Sequence, residues 1–339
     1  MRAYVLRKHG PPRVLRLVDL PDPEPGPGEV RVAVRAVGIN YADILSRRGL
    51  YGWAPKLPYV PGMEACGVID TVGSGVDPER VGERVIVCAQ TGAYAEKIVS
   101  PQALAVPAVA RYSSEENAAF AVNYMTAWIG LFELARLNPR DRVLVQAAAG
   151  GVGTAAVQLA KATGCPVAGV AGGEEKAAVL TRLGVDLAVD HKGTDFQTAV
   201  RRWSPTAGVD VVMELVGGTV YRKSLALLNP FGRLLVMGFA DLDLQKWNPL
   251  SWYRTWRSIP RIRLARMGTT SIGVMSSHLG HLIGKPDTLL TVWNRLVAFT
   301  KAHDIRPLVG SVFPFEEMAA AHRTMESRRS VGKIVIRMG

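Results

Sequence analysis

Val143-Leu144-Val145-Gln146-Ala147-Ala148-Ala149-Gly150-Gly151-Val152-Gly153 is the stretch whose reading decides the fold. A β-branched, apolar run feeds a glycine-rich turn, and residues from Thr154 to Ala162 then have helical composition. The unpaired N–H groups at a helix start, with the positive end of the helix dipole, make such a turn a receptor for pyrophosphate. Gly150 and Gly151 suit a tight turn with close backbone approach, and Gly153 lets the helix lie against its strand. The pattern departs from G-x-G-x-x-G, and taken alone it also fits any glycine-rich packing turn. The downstream sequence decides between the two. Val167-Ala168-Gly169-Val170, Leu187-Ala188-Val189, Val209-Asp210-Val211-Val212-Met213 and Arg233-Leu234-Leu235-Val236-Met237 are short apolar strands, with helical segments such as Glu174 to Leu183 between them. That alternation predicts an α/β domain with a parallel sheet covered on both faces, and a dinucleotide at the glycine turn.

The 339 residues suffice for two cores. Hydrophobic residues make up 48% of the chain, and no run approaches the roughly 20 apolar residues needed to span a bilayer. The first eight residues, Met1 to Lys8, carry no apolar segment of signal-peptide length. Cys66, Cys88 and Cys165 are scattered and odd in number, so the expectation is a reducing cytoplasm without a disulfide framework. The net charge of +12 fits a solvated arginine-rich surface; no motif interleaving basic and aromatic residues points to nucleic acid.

Upstream of the glycine turn the chain reads as β-rich, with alternation over Val30-Arg31-Val32-Ala33-Val34-Arg35-Ala36-Val37 and again over Gly82 to Val87. Pro21 to Gly28 is a proline-stiffened surface turn rather than a linker. A helical pattern starts at Glu115. After Thr270 come one more strand, a long helix around Leu289 to His303 and a final strand at Lys333-Ile334-Val335-Ile336, which returns to the N-terminal β-rich part.

Several motifs together carry a family resemblance: Gly38-Ile39-Asn40-Tyr41-Ala42-Asp43, Arg48-Gly49-Leu50-Tyr51, Pro61-Gly62-Met63-Glu64-Ala65-Cys66-Gly67-Val68, Val81-Gly82-Glu83-Arg84-Val85, Gly92-Ala93-Tyr94-Ala95-Glu96 and Asn123-Tyr124-Met125-Thr126-Ala127. Over nearly its whole length the chain resembles the medium-chain dehydrogenases/reductases, in their zinc-free quinone oxidoreductase branch that includes zeta-crystallin. Pro314-Phe315-Glu316-Glu317 and Ser327 to Lys333 look most like the synaptic-vesicle membrane protein homologues of that branch. The resemblance implies a GroES-like β-rich catalytic domain over residues 1–122 and 274–339. It also implies a doubly wound Rossmann cofactor domain over residues 123–273, an active-site cleft between the domains, and a homodimer formed through the edge of the Rossmann sheets at Thr270 to Val274.

Zinc-dependent relatives bind metal through a Cys and a His where this chain has Asn40 and Met63, and an amide and a thioether suit Zn²⁺ poorly. No metal site is therefore expected. For the dinucleotide, the resemblance assigns Asn40, Thr126, Ala149, Gly150, Gly151, Val152, Gly172, Gly173, Lys176, His191, Val216, Gly238 and Phe239 as cofactor-binding positions. The second strand of the cofactor domain ends in Val170-Ala171-Gly172-Gly173, with no carboxylate to accept a ribose 2′-hydroxyl or repel a 2′-phosphate, so NADPH is expected over NADH. Lys176 stands where NADPH-dependent relatives place a phosphate-binding lysine. The plainer alternatives are a solvated helix residue at Lys176 and a loop residue at His191. Glu174 and Glu175 nearby count against a phosphate.

Reduction of a quinone or an α,β-unsaturated carbonyl needs a hydride on one atom and a proton on another. Tyr51 is the proton-donor candidate, because enoyl-thioester reductases of the family carry a proposed Tyr the same distance after the Asn; otherwise it is a lining aromatic. Asn40 is the candidate donor to a carbonyl or to the nicotinamide carboxamide. Three functions are open: a zinc-independent NADPH-dependent reductase of quinones or activated alkenes, an enoyl-CoA or enoyl-thioester reductase, and a cofactor-sensing binding protein with little turnover. For the second, Arg261 and Arg263 in the aromatic, arginine-rich tract from Trp252 to Arg266 are candidate CoA-phosphate ligands, with an amphipathic surface helix as the alternative.

Overall fold

The computed structural model describes residues 1–240, 248, 250, 251, 253, 257 and 264–339, the backbone alone for 264–266. The tract from Trp252 to Arg266, with Arg261 and Arg263, lies almost entirely outside the described residues. In chain order come β1 (Arg2–Val5), β2 (Arg16–Asp19), β3 (Glu29–Gly38), α1 (Tyr41–Arg48), β4 (Glu64–Val72), β5 (Arg84–Cys88), β6 (Lys97–Pro101), β7 (Ala105–Pro107), α2 (Ser114–Ala118) and α3 (Ala121–Trp128). They are followed by β8 (Val143–Val145), α4 (Gly151–Ala162), β9 (Val167–Ala171), α5 (Glu174–Arg182), β10 (Leu187–Asp190), α6 (Phe196–Trp203), β11 (Val209–Glu214), α7 (Gly218–Leu225), β12 (Leu228–Val236), β13 (Gly273–Ser276), α8 (Pro286–Ala302), β14 (Val309–Pro314), α9 (Met318–Glu326) and β15 (Lys333–Arg337).

Two compact units emerge: Met1–Asn123 with Leu279–Val297 and Arg306–Gly339, and Tyr124–His278 with Ala298–Ile305. In the first, a sheet runs β14-β15-β3-β4-β5-β7, with β6 also on β3. All its pairs are antiparallel except β14 with β15. The alternation along β3 puts Val30, Val32 and Val34 inward, where they join Ile69, Val85, Val87, Ile98, Ile334 and Ile336 in one core. The C-terminal strand β15 lies beside β3, pairing Ile336 with Val37.

In the second unit six parallel strands run β10-β9-β8-β11-β12-β13. The order reverses between β8 and β11, the point in such a sheet where a dinucleotide sits outside the strands' carboxyl ends. β8, β9 and most of β11 are buried, as their unbroken apolar runs require.

Several local details depart from the sequence reading. Helix α4 starts at Gly151 rather than Thr154, so Gly150 is its N-cap. The left-handed residue of the turn is Ala147, at φ 47°, and Gly150 is extended. The turn closes when the Gly150 N–H donates to Ala147 O at 3.0 Å. Strand β12 begins five residues before Arg233, because Pro230 and Gly232 interrupt an apolar pattern without ending the strand. The domain boundary drawn at 273/274 falls inside β13, and the end of α8 groups with the second unit. The structure adds strands that the sequence does not single out, among them β1, β4, β6, β7 and β14.

Candidate functional site

The second unit gathers most of the candidate dinucleotide residues at the carboxyl ends of its strands. Ala149 is buried in the turn after β8, and Gly150, Gly151 and Val152 are half-buried at the start of α4. Gly153 cannot carry a side chain: a Cβ there would lie 2.4 Å from Ala147 O and 2.7 Å from Ala148 Cα. That close approach fixes the helix against the turn and presents the helix N-terminus.

Beyond β9, Gly172 and Gly173 form the entry to α5, with Gly173 at φ 98°. The His191 imidazole lies over Gly172, its Nε2 2.8 Å from where a Cβ would sit. Asp190 brings a carboxylate beside this loop from the end of β10, and its Oδ1 is committed to backbone, accepting the Gly173 N–H at 2.7 Å and the Lys192 N–H at 2.9 Å. These bonds, Gly173's first, hold its carboxyl below the usual carboxylate range. Lys192 Nζ is 3.9 Å from the Cβ position of Gly173. Burial and then the charge of Lys192 lower the Lys176 ammonium. Lys176, His191 and Lys192 thus surround one loop; Lys192 and Asp190 escaped the sequence reading because they sit at and past the end of the third strand, away from the glycine motif.

A second group lies at the ends of β11 and β12. Glu214 is fully buried, and its Oε1 accepts the N–H of Val216 at 2.6 Å and of Gly217 at 2.8 Å, while Oε2 accepts the Ser224 hydroxyl at 3.2 Å. Burial pushes its carboxyl up. Glu214 therefore shapes the loop carrying Val216. Gly238 packs on Leu215, and Phe239, 45% exposed, lies beside Gly217. Thr126 is half-buried on α3.

The first unit holds a different kind of cluster. Asn40 is the N-cap of α1 and is 7% exposed. Its Oδ1 accepts from Lys333 Nζ at 2.7 Å, and its Nδ2 donates to Glu64 Oε1 at 3.0 Å and to Gly38 O at 3.4 Å. Lys333 and Glu64, at 2% and 0% side-chain exposure, form an ion pair. Asn123 Oδ1 accepts from the same ammonium at 3.5 Å, and the Val122 N–H donates to the other Glu64 oxygen at 3.0 Å. Gly38 is required here: a Cβ would meet Ala118 O at 2.1 Å and Lys333 Cε at 2.7 Å. The carboxamide of Asn40 is thus engaged inward, so donation to a substrate carbonyl requires releasing one of these bonds. Tyr51 is half-buried just beyond the left-handed Gly49 that ends α1. Burial, and then the charge of Asp43, push its phenol up to about 12. A phenol so placed stays protonated at neutral pH, as a proton donor must.

Two family models match, "Zinc-binding dehydrogenase" over residues 183–336 and "Alcohol dehydrogenase GroES-like domain" over residues 26–110. The mouse synaptic vesicle membrane protein VAT-1 homolog is 37% identical over 340 residues, covering 99% of this chain and 83% of that protein. The chain belongs to the medium-chain dehydrogenase/reductase superfamily. Among solved members of this superfamily, the quinone oxidoreductase from Thermus thermophilus, determined alone and with NADPH, superposes with TM-score 0.82 at 34% identity, covering 99% of this chain and 100% of that one. The Escherichia coli quinone oxidoreductase–NADPH complex gives TM-score 0.88 at 27% identity, with 99% and 100% covered.

The first model's description raises the question of zinc, and the residues present do not fit it. Asn40 and Met63 offer an amide and a thioether, and the nearby carboxylate of Glu64 is already neutralised by a buried ammonium. Lys333 supplies from within the chain a buried positive charge beside Glu64 and Asn40.

Proposed function

We propose that this protein is a zinc-independent, NADPH-dependent oxidoreductase that passes a hydride to a quinone or an activated alkene such as an α,β-unsaturated carbonyl. The observation that carries the reading is the loop after β9. The carboxylate beside it, Asp190 at the end of β10, is turned onto the Gly173 and Lys192 amides, and Lys176, His191 and Lys192 surround the loop. Such a loop favours a 2′-phosphate over a bare ribose. In this reading the turn at Ala149 to Val152 takes the pyrophosphate, and Val216, Gly238 and Phe239 with Thr126 line the nicotinamide half. Tyr51 donates the proton that accompanies hydride transfer, and Asn40 holds the frame beside it. The NADPH complexes of the Thermus and Escherichia enzymes support the choice of cofactor.

The assembly proposed with this reading is a homodimer through the sheet edge; the strand expected at Thr270 to Val274 is β13, Gly273–Ser276, with Thr270 ending the helix before it, and β13 ends the six-stranded sheet among the described residues. The proposed compartment is the reducing cytoplasm, in keeping with three free cysteines. No described helix is long and apolar enough to cross a membrane.

The test is NADPH and NADH oxidation followed against a panel of a quinone, a short enone and an enoyl-CoA. The expected result is turnover with the first two and a kcat/KM at least about tenfold higher for NADPH than for NADH, or roughly 1.4 kcal/mol. Turnover confined to the enoyl-CoA would move the reading to a thioester reductase, and cofactor binding without turnover on any substrate would move it to a sensor.

A further inference from the structure

Beneath the first turn of α1 lies a buried chain of titratable groups that hydride transfer does not use. Asp43 is 1% exposed, and its Oδ2 accepts the Asn40 N–H at 2.8 Å, an acidic third helical residue reaching back to the N-cap. Its carboxyl is also hydrogen-bonded to the Tyr94 hydroxyl. That hydroxyl lies 2.9 Å from Nε2 of His322, a fully buried residue of α9, with the two rings edge-on at 5.6 Å.

The direction of the chain follows from what each atom has to bond. His322 Nδ1 is buried without a partner. With the positive charge of Arg47 acting on the ring, a lone pair left there costs less than an N–H, so the ring proton belongs on Nε2. His322 then donates to Tyr94, and Tyr94 donates to Asp43. Burial, and next the charge of Arg47, lower the imidazole to about 3, so it stays neutral throughout. The charged and titratable groups facing Asp43 are Lys333 on β15, Glu64 on β4, Tyr94, and Tyr51 and Tyr59 in the segment after α1. Arg47 on its own helix acts on Tyr94 and His322 and pairs with Glu326 of α9.

We propose that Asp43 is a positioning residue: the His322–Tyr94 chain fixes its carboxyl under Asn40, and its charge governs how readily Tyr51 gives up a proton. This rests on the reading of Tyr51 as proton donor in an NADPH-dependent reduction. Burial raises the Asp43 carboxyl to about 7, opposed chiefly by the Asn40 N–H. Its charge therefore changes in the neutral range. Neutral Asp43 leaves Tyr51 the stronger acid; ionised Asp43 makes proton release harder.

The experiment measures kcat and KM against pH for wild type, Asp43→Asn and Tyr94→Phe, with saturating NADPH and 9,10-phenanthrenequinone. Wild-type kcat is expected to fall about fivefold on raising the pH through neutrality, with little change in the KM for NADPH. Asp43→Asn should be flat across that range. Tyr94→Phe removes a bond that lowers the Asp43 carboxyl and should move the inflection to higher pH, a shift that a merely structural role would not produce. An inflection unchanged in Asp43→Asn overturns the proposal. Absence of quinone turnover in wild type would count against the function reading instead, and Asp43 is then read without activity. Infrared difference spectra should show a protonated carboxyl band at about pH 6 that is lost by about pH 8.5 and is absent from Asp43→Asn. A wild-type protein lacking that band overturns the assignment of Asp43 outright.

Discussion

The two units carry their candidate chemistry in opposite ways. In the second unit the candidate surface is mostly backbone: a glycine turn, a helix N-terminus and loops shaped by the buried Glu214. In the first unit it is side chains in a buried polar network, where Asn40, Asp43, Glu64, Tyr94, His322 and Lys333 hold one another. A backbone site tolerates side-chain change but no added atom. A buried ionic site tolerates volume change but no lost partner. Substitutions chosen in each unit can break that contrast.

The largest effect is expected at Lys333. Replacing it by Met leaves Glu64 charged, buried and unpaired, and should cost about 3–5 kcal/mol in urea denaturation. Adding Glu64→Gln to Lys333→Met removes the uncompensated charge and should recover most of that loss. A single variant as stable as wild type would show the ion pair to be dispensable.

Next comes Gly153→Val in the glycine turn. With no room for even a Cβ, it should destabilise by about 2 kcal/mol and abolish dinucleotide binding measured by NADPH fluorescence. Unaltered NADPH affinity would break the claim that this turn is the binding surface.

The third prediction uses two groups of opposite sign in the same network. Asp43 keeps its proton to about pH 7 when folded, against 3.8 as its ordinary value, so its contribution to stability falls as the pH rises between those limits. His322 stays neutral down to about pH 3 when folded, against an ordinary 6.5, so its contribution falls as the pH drops through that window. Where the windows overlap the two offset each other, and wild-type stability should vary little with pH on their account. Asp43→Asn should expose the histidine, with stability dropping by up to about 1.4 kcal/mol per pH unit on acidification below 6.5. His322→Gln should show the reverse slope.

The smallest effect is expected at Lys192. Its replacement by Ala should weaken NADPH binding about five- to tenfold, some 1 kcal/mol, and leave NADH unaffected. Equal losses for both dinucleotides would place Lys192 away from the 2′-phosphate.

The same contrast explains what the sequence disclosed. The candidate dinucleotide surface is legible because its residues are neighbours in the chain and glycine is a specific demand: Gly150 to Gly153 and Gly172 to Gly173 stand out beside apolar strands. Even there the left-handed residue proved to be Ala147, since a non-glycine at positive φ leaves no compositional mark. The buried network was largely illegible. Lys333 meets Asn40 across 293 positions and Glu64 across 269, and a lysine near the end of a strand looks like a solvated charge until the strand order puts it inside. Asn40 stands out in its motif, but nothing local shows that its amide is engaged inward. Glu214 and Asp190, both turned onto backbone amides, were hidden for the same reason.

The most direct test is NADPH oxidation by protein stripped of metal by exhaustive chelation, with residual metal measured by mass spectrometry and a quinone as acceptor. The account predicts undiminished turnover at a metal content far below one per chain, because Lys333 already supplies the buried positive charge beside Glu64 and Asn40. Turnover that disappears with the metal and returns when zinc is restored would contradict it.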